Sequence, residues 1–156
     1  MSVFYFDSSA LVKRYLRETG SVWVAGLTDP AAGHRILVAD VTLVEIAAAI
    51  ARGTAPARHI LRARDRAVTL VRRHFTTDYE TNVADRLALE TAIDLTQRHR
   101  LRAYDAIQLA TQLATNAVLL SARLPSPIFI TAADNDLVAA ARSEGLTADD
   151  AQNLHP

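Results

Sequence analysis

The sequence predicts an α/β fold, one domain whose central parallel sheet is covered by helices on both faces. Three observations carry this. Val3 to Phe6, Ile36 to Ala39 and Ile128 to Thr131 are short continuous apolar runs, lacking the alternation of a strand with one wet face. Helical patterns with their own start and stop signals separate these runs. Finally, 156 residues at 50% hydrophobic and 22% charged suit one globular unit, large enough to form a core without staples. A single domain over residues 1–156 is expected, with no repeat, low-complexity tract or linker.

Val3 to Phe6 ends in Asp7-Ser8-Ser9, after which Ala10 to Arg17 reads as a helix stopped by Gly20. Ser21 caps a second helix to about Thr28, broken by Asp29-Pro30. After the strand Ile36 to Ala39, Thr42 to Ile50 is strongly helical up to Gly53. Thr54 and Pro56 start another helix, since proline suits the first turn, and it extends to about His74. Phe75 to Tyr79 is a weak strand expectation. Asn82 to His99 and Tyr104 to about Thr115 are two more helices. Pro125 and Pro127 punctuate the loop before Ile128 to Thr131, and Asp134 to Glu144 is a last helix, stopped by Gly145.

Composition excludes several classes. With no cysteine there are no disulfides, thiolate metal sites or cysteine nucleophiles, which fits a reducing cytoplasm. No signal-peptide pattern opens the chain and no apolar run reaches the ~18 residues of a membrane span, so a cytoplasmic location is expected. Formal net charge is zero, which excludes a strong global field toward nucleic acid but not a local basic surface. Such a surface is visible between Arg52 and His74, where arginines 52, 58, 62, 64, 66, 72 and 73 face one acid, Asp65.

Four acids are expected to meet where ligands bind in open parallel sheets, beyond the carboxyl ends of the strands. Asp7 follows the first strand and Asp134 the late one; Glu45 and Asp105 lie in the first turns of their helices. Together they would form a carboxylate cluster for Mg²⁺, a hard cation that takes oxygen ligands and offsets their mutual repulsion. Such a site supports phosphodiester hydrolysis, with metal activating water. Each acid also has a plainer reading. Asp7 and Asp134 suit helix N-caps, Thr42-Leu43-Val44-Glu45 matches a capping box, and Asp105 suits a first helical turn. Phosphate-binding glycine loops, nucleophile elbows and zinc-spaced histidines do not occur.

Four segments in order resemble the PIN-domain ribonucleases, and most of all the VapC toxins of type II toxin–antitoxin pairs. They are Asp7-Ser8-Ser9-Ala10-Leu11-Val12-Lys13, the Glu45 helix, Tyr104-Asp105-Ala106-Ile107-Gln108-Leu109-Ala110, and Asp134-Asn135-Asp136-Leu137-Val138 with the alanines after it. The resemblance implies a Rossmann-like three-layer α/β/α sandwich and Mg²⁺- or Mn²⁺-dependent endoribonuclease activity. Its acidic quartet falls on Asp7, Glu45, Asp105 and Asp134, with Asp136 as a further metal acid and Ser8 orienting carboxylates. The family often carries Thr or Ser two residues before the fourth acid; here that position is Ala132 and Thr131 stands one earlier, which leaves Asp134 and Asp136 both open as the fourth acid.

The resemblance further implies a homodimer, an RNA substrate and a VapB-like antitoxin lying in a groove of the early helices. Trp23, the only tryptophan, would anchor a partner there or simply pack in the core. Arg52, Arg58 and Arg62 would contact RNA phosphates or an acidic antitoxin, or form a solvated face. Against the nuclease stand two other readings: a catalytically idle PIN-like module that binds RNA or protein, and structure-specific DNA cleavage, which the short chain disfavours.

Overall fold

Along the first strand, Val3 and Tyr5 join one buried cluster while Phe4 and Phe6 join another, so the strand is covered on both faces. That explains its unbroken apolar run. The computed structural model describes residues 1–53, 58–132 and 135–152. Its five strands are β1 (Val3–Phe6), β2 (Arg35–Ala39), β3 (Glu80–Asn82), β4 (Ile128–Thr131) and β5 (Ala148–Asp150), in the order β3-β2-β1-β4-β5 and all parallel.

On one face lie α1 (Ser8–Leu11), α2 (Ser21–Leu27), α3 (Val41–Arg52) and α4 (Arg58–Thr77). Ala10, Leu11, Val24, Ile46, Ile50 and Val71 pack there against Phe4, Phe6, Ile36, Val38 and Ile130. On the other lie α5 (Arg86–His99), α6 (Ala103–Ser121) and α7 (Asn135–Ser143), whose Leu95, Leu109 and Leu137 pack against Tyr5, Leu37 and Phe129. The sandwich has three layers, as expected from the sequence.

Several boundaries differ from expectation. Ala10 to Arg17 is not one helix: α1 gives way to a 3₁₀ turn, Val12–Arg14, after which Arg14 and Tyr15 reach across to the end of α4. Phe75 to Tyr79 is not a strand. Phe75 to Thr77 finish α4, Tyr79 stacks edge-on against Phe75, and the strand follows at Glu80. The helix placed from Asn82 begins at Arg86, capped by Asp85, because Asn82 ends β3. Helix α6 runs on to Ser121. Strand β5, Ala-Asp-Asp, was not anticipated. The Thr54–Pro56 helix start lies outside the described residues. Among those residues no helix is long and apolar enough to cross a membrane.

Strand order reverses at β1, with β2 on one side and β4 on the other. The carboxyl ends of β1 and β4 therefore flank a switch point, where open α/β sheets hold their ligands. Asp7 leaves β1 there, with its amide bonded to the Ile130 carbonyl at 3.0 Å.

Candidate active site

Asp7 is both an N-cap and a buried carboxylate, 1% exposed. Its Oδ1 accepts from the Ala10 amide at 3.0 Å, as a cap should, and from the Ser9 hydroxyl at 2.8 Å. Its Oδ2 accepts from the Thr131 hydroxyl at 3.0 Å. Ser9 in turn accepts from the Ala132 amide at 2.9 Å, tying the start of α1 to the end of β4. Burial dominates and pushes the Asp7 carboxyl from 3.8 up to about 7. The amide and hydroxyl donors pull it back only in part, and the negative charge of Asp105 pushes it further up.

Beside Asp7 a cavity of about 600 Å³ is lined by Ser8, Ser9, Glu45, Asp105 and Ala132, with Arg52, Arg102 and Tyr104 also on its wall. Glu45 is half-buried on α3. The capping box, the plainer reading of Glu45, does not form: Asp40 caps α3 through the Val41 amide, and Thr42 is fully buried in the first turn. Instead Glu45 Oε2 accepts from Gln108 Nε2 at 2.6 Å, and Gln108 Nε2 also bonds Thr42 Oγ1 at 2.8 Å. Burial raises the Glu45 carboxyl above its ordinary range; donors on Gln108 and Ser8 lower it, and Asp105 raises it again. Asp105 thus acts electrically on both Asp7 and Glu45, as a like charge nearby should.

The remaining expected residues divide. Thr131, one residue off the family's usual spacing, reaches Asp7 all the same, because β4 ends directly beside β1. Ser8 lines the cavity with Glu45 and helps to lower its carboxyl. Asp134 and the side chain of Arg58 lie outside the described residues. Asp136 is exposed in the first turn of α7 and is not among the cavity's lining residues. Arg52 lines the cavity; Arg62 is exposed on α4. Trp23 is half-buried against the core on the α1–α4 side.

Sequence reasoning passed over Ser9 and Gln108. Gln108 had a signal: it is a polar residue on the apolar stripe of α6, next to Leu109, and a buried polar group needs partners. Ser9 had none beyond its place two residues after Asp7. Arg102 and Tyr104, the latter 55% exposed on the cavity wall, were also not singled out.

No family model and no curated protein sequence matches the chain. Solved structures do. PAE2754 from Pyrobaculum aerophilum matches with a TM-score of 0.60 at 16% identity, over 97% of this chain and 90% of that one. A chain of FitAB bound to an IR36 DNA fragment gives 0.67 at 12% identity, over 99% and 98%. A chain of VapBC2 from Rickettsia felis, bound to a DNA fragment from its promoter, gives 0.61 at 10% identity, over 95% and 98%. At these identities the likeness is one of fold. The parallel five-stranded sheet, its helices on both faces and these three matches establish that the chain has the PIN-like α/β/α fold found in VapC-type toxins.

Proposed function

We propose that the protein is a metal-dependent endoribonuclease, the toxin of a toxin–antitoxin pair. One observation carries this: Asp7, buried at the β1/β4 switch point, is coupled to Asp105, which with Glu45 lines one cavity. All the donors are hard carboxylate oxygens, the chemistry Mg²⁺ or Mn²⁺ selects. Asp7, Glu45 and Asp105 would hold the ion, with Asp134 or Asp136 completing the set. Bound there, the metal would activate a water toward an RNA phosphate and stabilise charge on the leaving oxygen. Around it this chain's own groups do fixed work. Ser9, Thr131 and the Ala10 amide orient Asp7, Ser8 and Gln108 orient Glu45, and Arg52 and Arg102 offer charge to the phosphate backbone.

Partners follow from the same reading. FitAB and VapBC2 support a VapB-like antitoxin partner. A homodimer belongs to the same reading; exposed Val83, just before α5, and exposed Leu87 and Ile93 on it offer apolar surface for a second copy.

The test is cleavage of a broad RNA pool by purified, antitoxin-free protein, with Mn²⁺ or Mg²⁺ against a chelator and Asp7→Asn alongside. Discrete cuts that need both metal and Asp7 are expected. Cleavage that persists in Asp7→Asn would remove the assignment.

The alternative reading is a catalytically idle PIN-like module that binds RNA or protein. Among the described residues no three acid or histidine side chains stand close enough to hold a metal ion unaided. Mg²⁺ usually keeps several waters and takes only one or two carboxylates, so an open arrangement suits it too. A thermal melt separates the readings: protection by Mn²⁺ belongs to the enzyme, none to the module.

A further inference from the structure

We propose that Gln108 is a positioning residue for Glu45, a neutral clamp that aims the carboxylate while leaving its charge for a cation. This rests on the metal-nuclease reading above.

Gln108 is 1% exposed on α6, in the layer opposite α3, yet its amide crosses the sheet edge to reach two α3 side chains. Its orientation is determined by chemistry. An ionised carboxylate only accepts, so the amide end facing Glu45 must be the –NH₂ group. Thr42 Oγ1 both accepts from Nε2 at 2.8 Å and lies 3.2 Å from Oε1, so a hydroxyl that donates and accepts locks the amide from the other side. Thr42 is itself 0% exposed and has no solvent to turn to.

The neutrality of the clamp is informative. An arginine or lysine at this place would orient Glu45 equally well but cancel its charge, and the site would lose what attracts a cation. A glutamine gives direction without compensation. Outer partners of this kind are worth about 10–100-fold in metal affinity.

The test pairs Gln108→Met with the double variant Gln108→Met/Thr42→Val, and measures Mn²⁺ binding by calorimetry beside metal-free melting. The single variant leaves the buried Thr42 hydroxyl without its partner and melts lower. The double variant replaces both partners with apolar groups of similar shape and recovers stability. A purely structural role would recover Mn²⁺ affinity as well; the clamp predicts that affinity stays about 10–100-fold down in both. A double variant that binds Mn²⁺ as wild type does overturns the clamp alone. Wild-type protein that takes up no Mn²⁺ overturns the nuclease reading, and the clamp falls with it. A readout without metal is also available: Glu45→Gln must shift the Gln108 side-chain amide resonances, and unmoved resonances would remove the contact.

Discussion

The Thr131 hydroxyl donates to Asp7 Oδ2 across 3.0 Å, joining the end of β4 to the cap of α1 where the strand order reverses. A one-residue shift of the threonine along the sequence has therefore not cost it the aspartate. Thr131→Val is expected to remove one donor, raise the Asp7 carboxyl above about 7 and cost about 1–2 kcal/mol. Thr131→Ser should restore most of that. Chemical denaturation of the three proteins checks it.

Asp7 makes the metal-free fold weaker as pH rises. Its folded pKa of about 7 lies above the ordinary 3.8, so between those values the folded state holds a proton that the unfolded state releases. Stability is then fully present below about 3.8 and is lost as pH climbs through about 7, by on the order of 4 kcal/mol. Asp7→Asn in chelator should melt above wild type at about pH 8 and close to it at about pH 4. A lower melt at the alkaline end would contradict the burial argument.

His74 works in the opposite sense. Burial, with Arg14 and Arg73 nearby, lowers its pKa below 6.5 while Asp78 opposes, so the fold prefers the neutral ring. Neutral Nδ1 can accept from the Tyr15 hydroxyl at 2.9 Å; Tyr15 also meets Tyr79 at 2.8 Å, and Arg14 donates to Tyr79 at 2.6 Å. This contribution is present above 6.5 and lost as pH falls through the lowered folded pKa. Because it overlaps the Asp7 window, the clean measurement is made in Asp7→Asn. There, His74→Gln should flatten the loss of stability on acidification.

Gly20 and Gly33 both have positive φ, +87° and +68°, but only one is crowded. A Cβ at Gly20 would fall 2.3 Å from the Ala151 carbonyl oxygen, whereas one at Gly33 meets open space. Gly33→Ala should cost about 1 kcal/mol, the strain of a left-handed conformation alone. Gly20→Ala adds a backbone clash and should cost clearly more, about 2–4 kcal/mol. Equal midpoints for the two would show that the clash is relieved cheaply.

Legibility followed burial. β1, β2 and β4 are covered on both faces and announced themselves as apolar runs; β3 and β5 are Glu-Thr-Asn and Ala-Asp-Asp, three-residue edge strands with no apolar run to read. Phe75 and Tyr79 looked like a strand because aromatics favour sheets, but Val71 and Phe75 are one helical turn apart and pack on the same core. Of the acids, sequence order places Asp7, Asp134 and Glu45 at one edge of the sheet and Asp105 only in the first turn of its helix, and Asp134 lies outside the described residues. Sequence order could not indicate that Glu45 answers to Gln108 rather than to a capping box, because that bond spans 63 residues and two layers.

Phe4 pairs with Ile36 on one side and Ile128 on the other, so the strand made first is completed by one of the last. Long-range parallel pairing is slow, since the entropy of closing the loop is lost before the paired strands compensate it. A chain still emerging from the ribosome has Asp7 without Thr131, an uncovered edge on β1 and no β4 wall to its cavity. Whatever the cavity does, it cannot begin until β4 has been made, and a product truncated before Ile128 would be inert. The interval is also a period of exposure, with β1's free edge open to pairing with another chain.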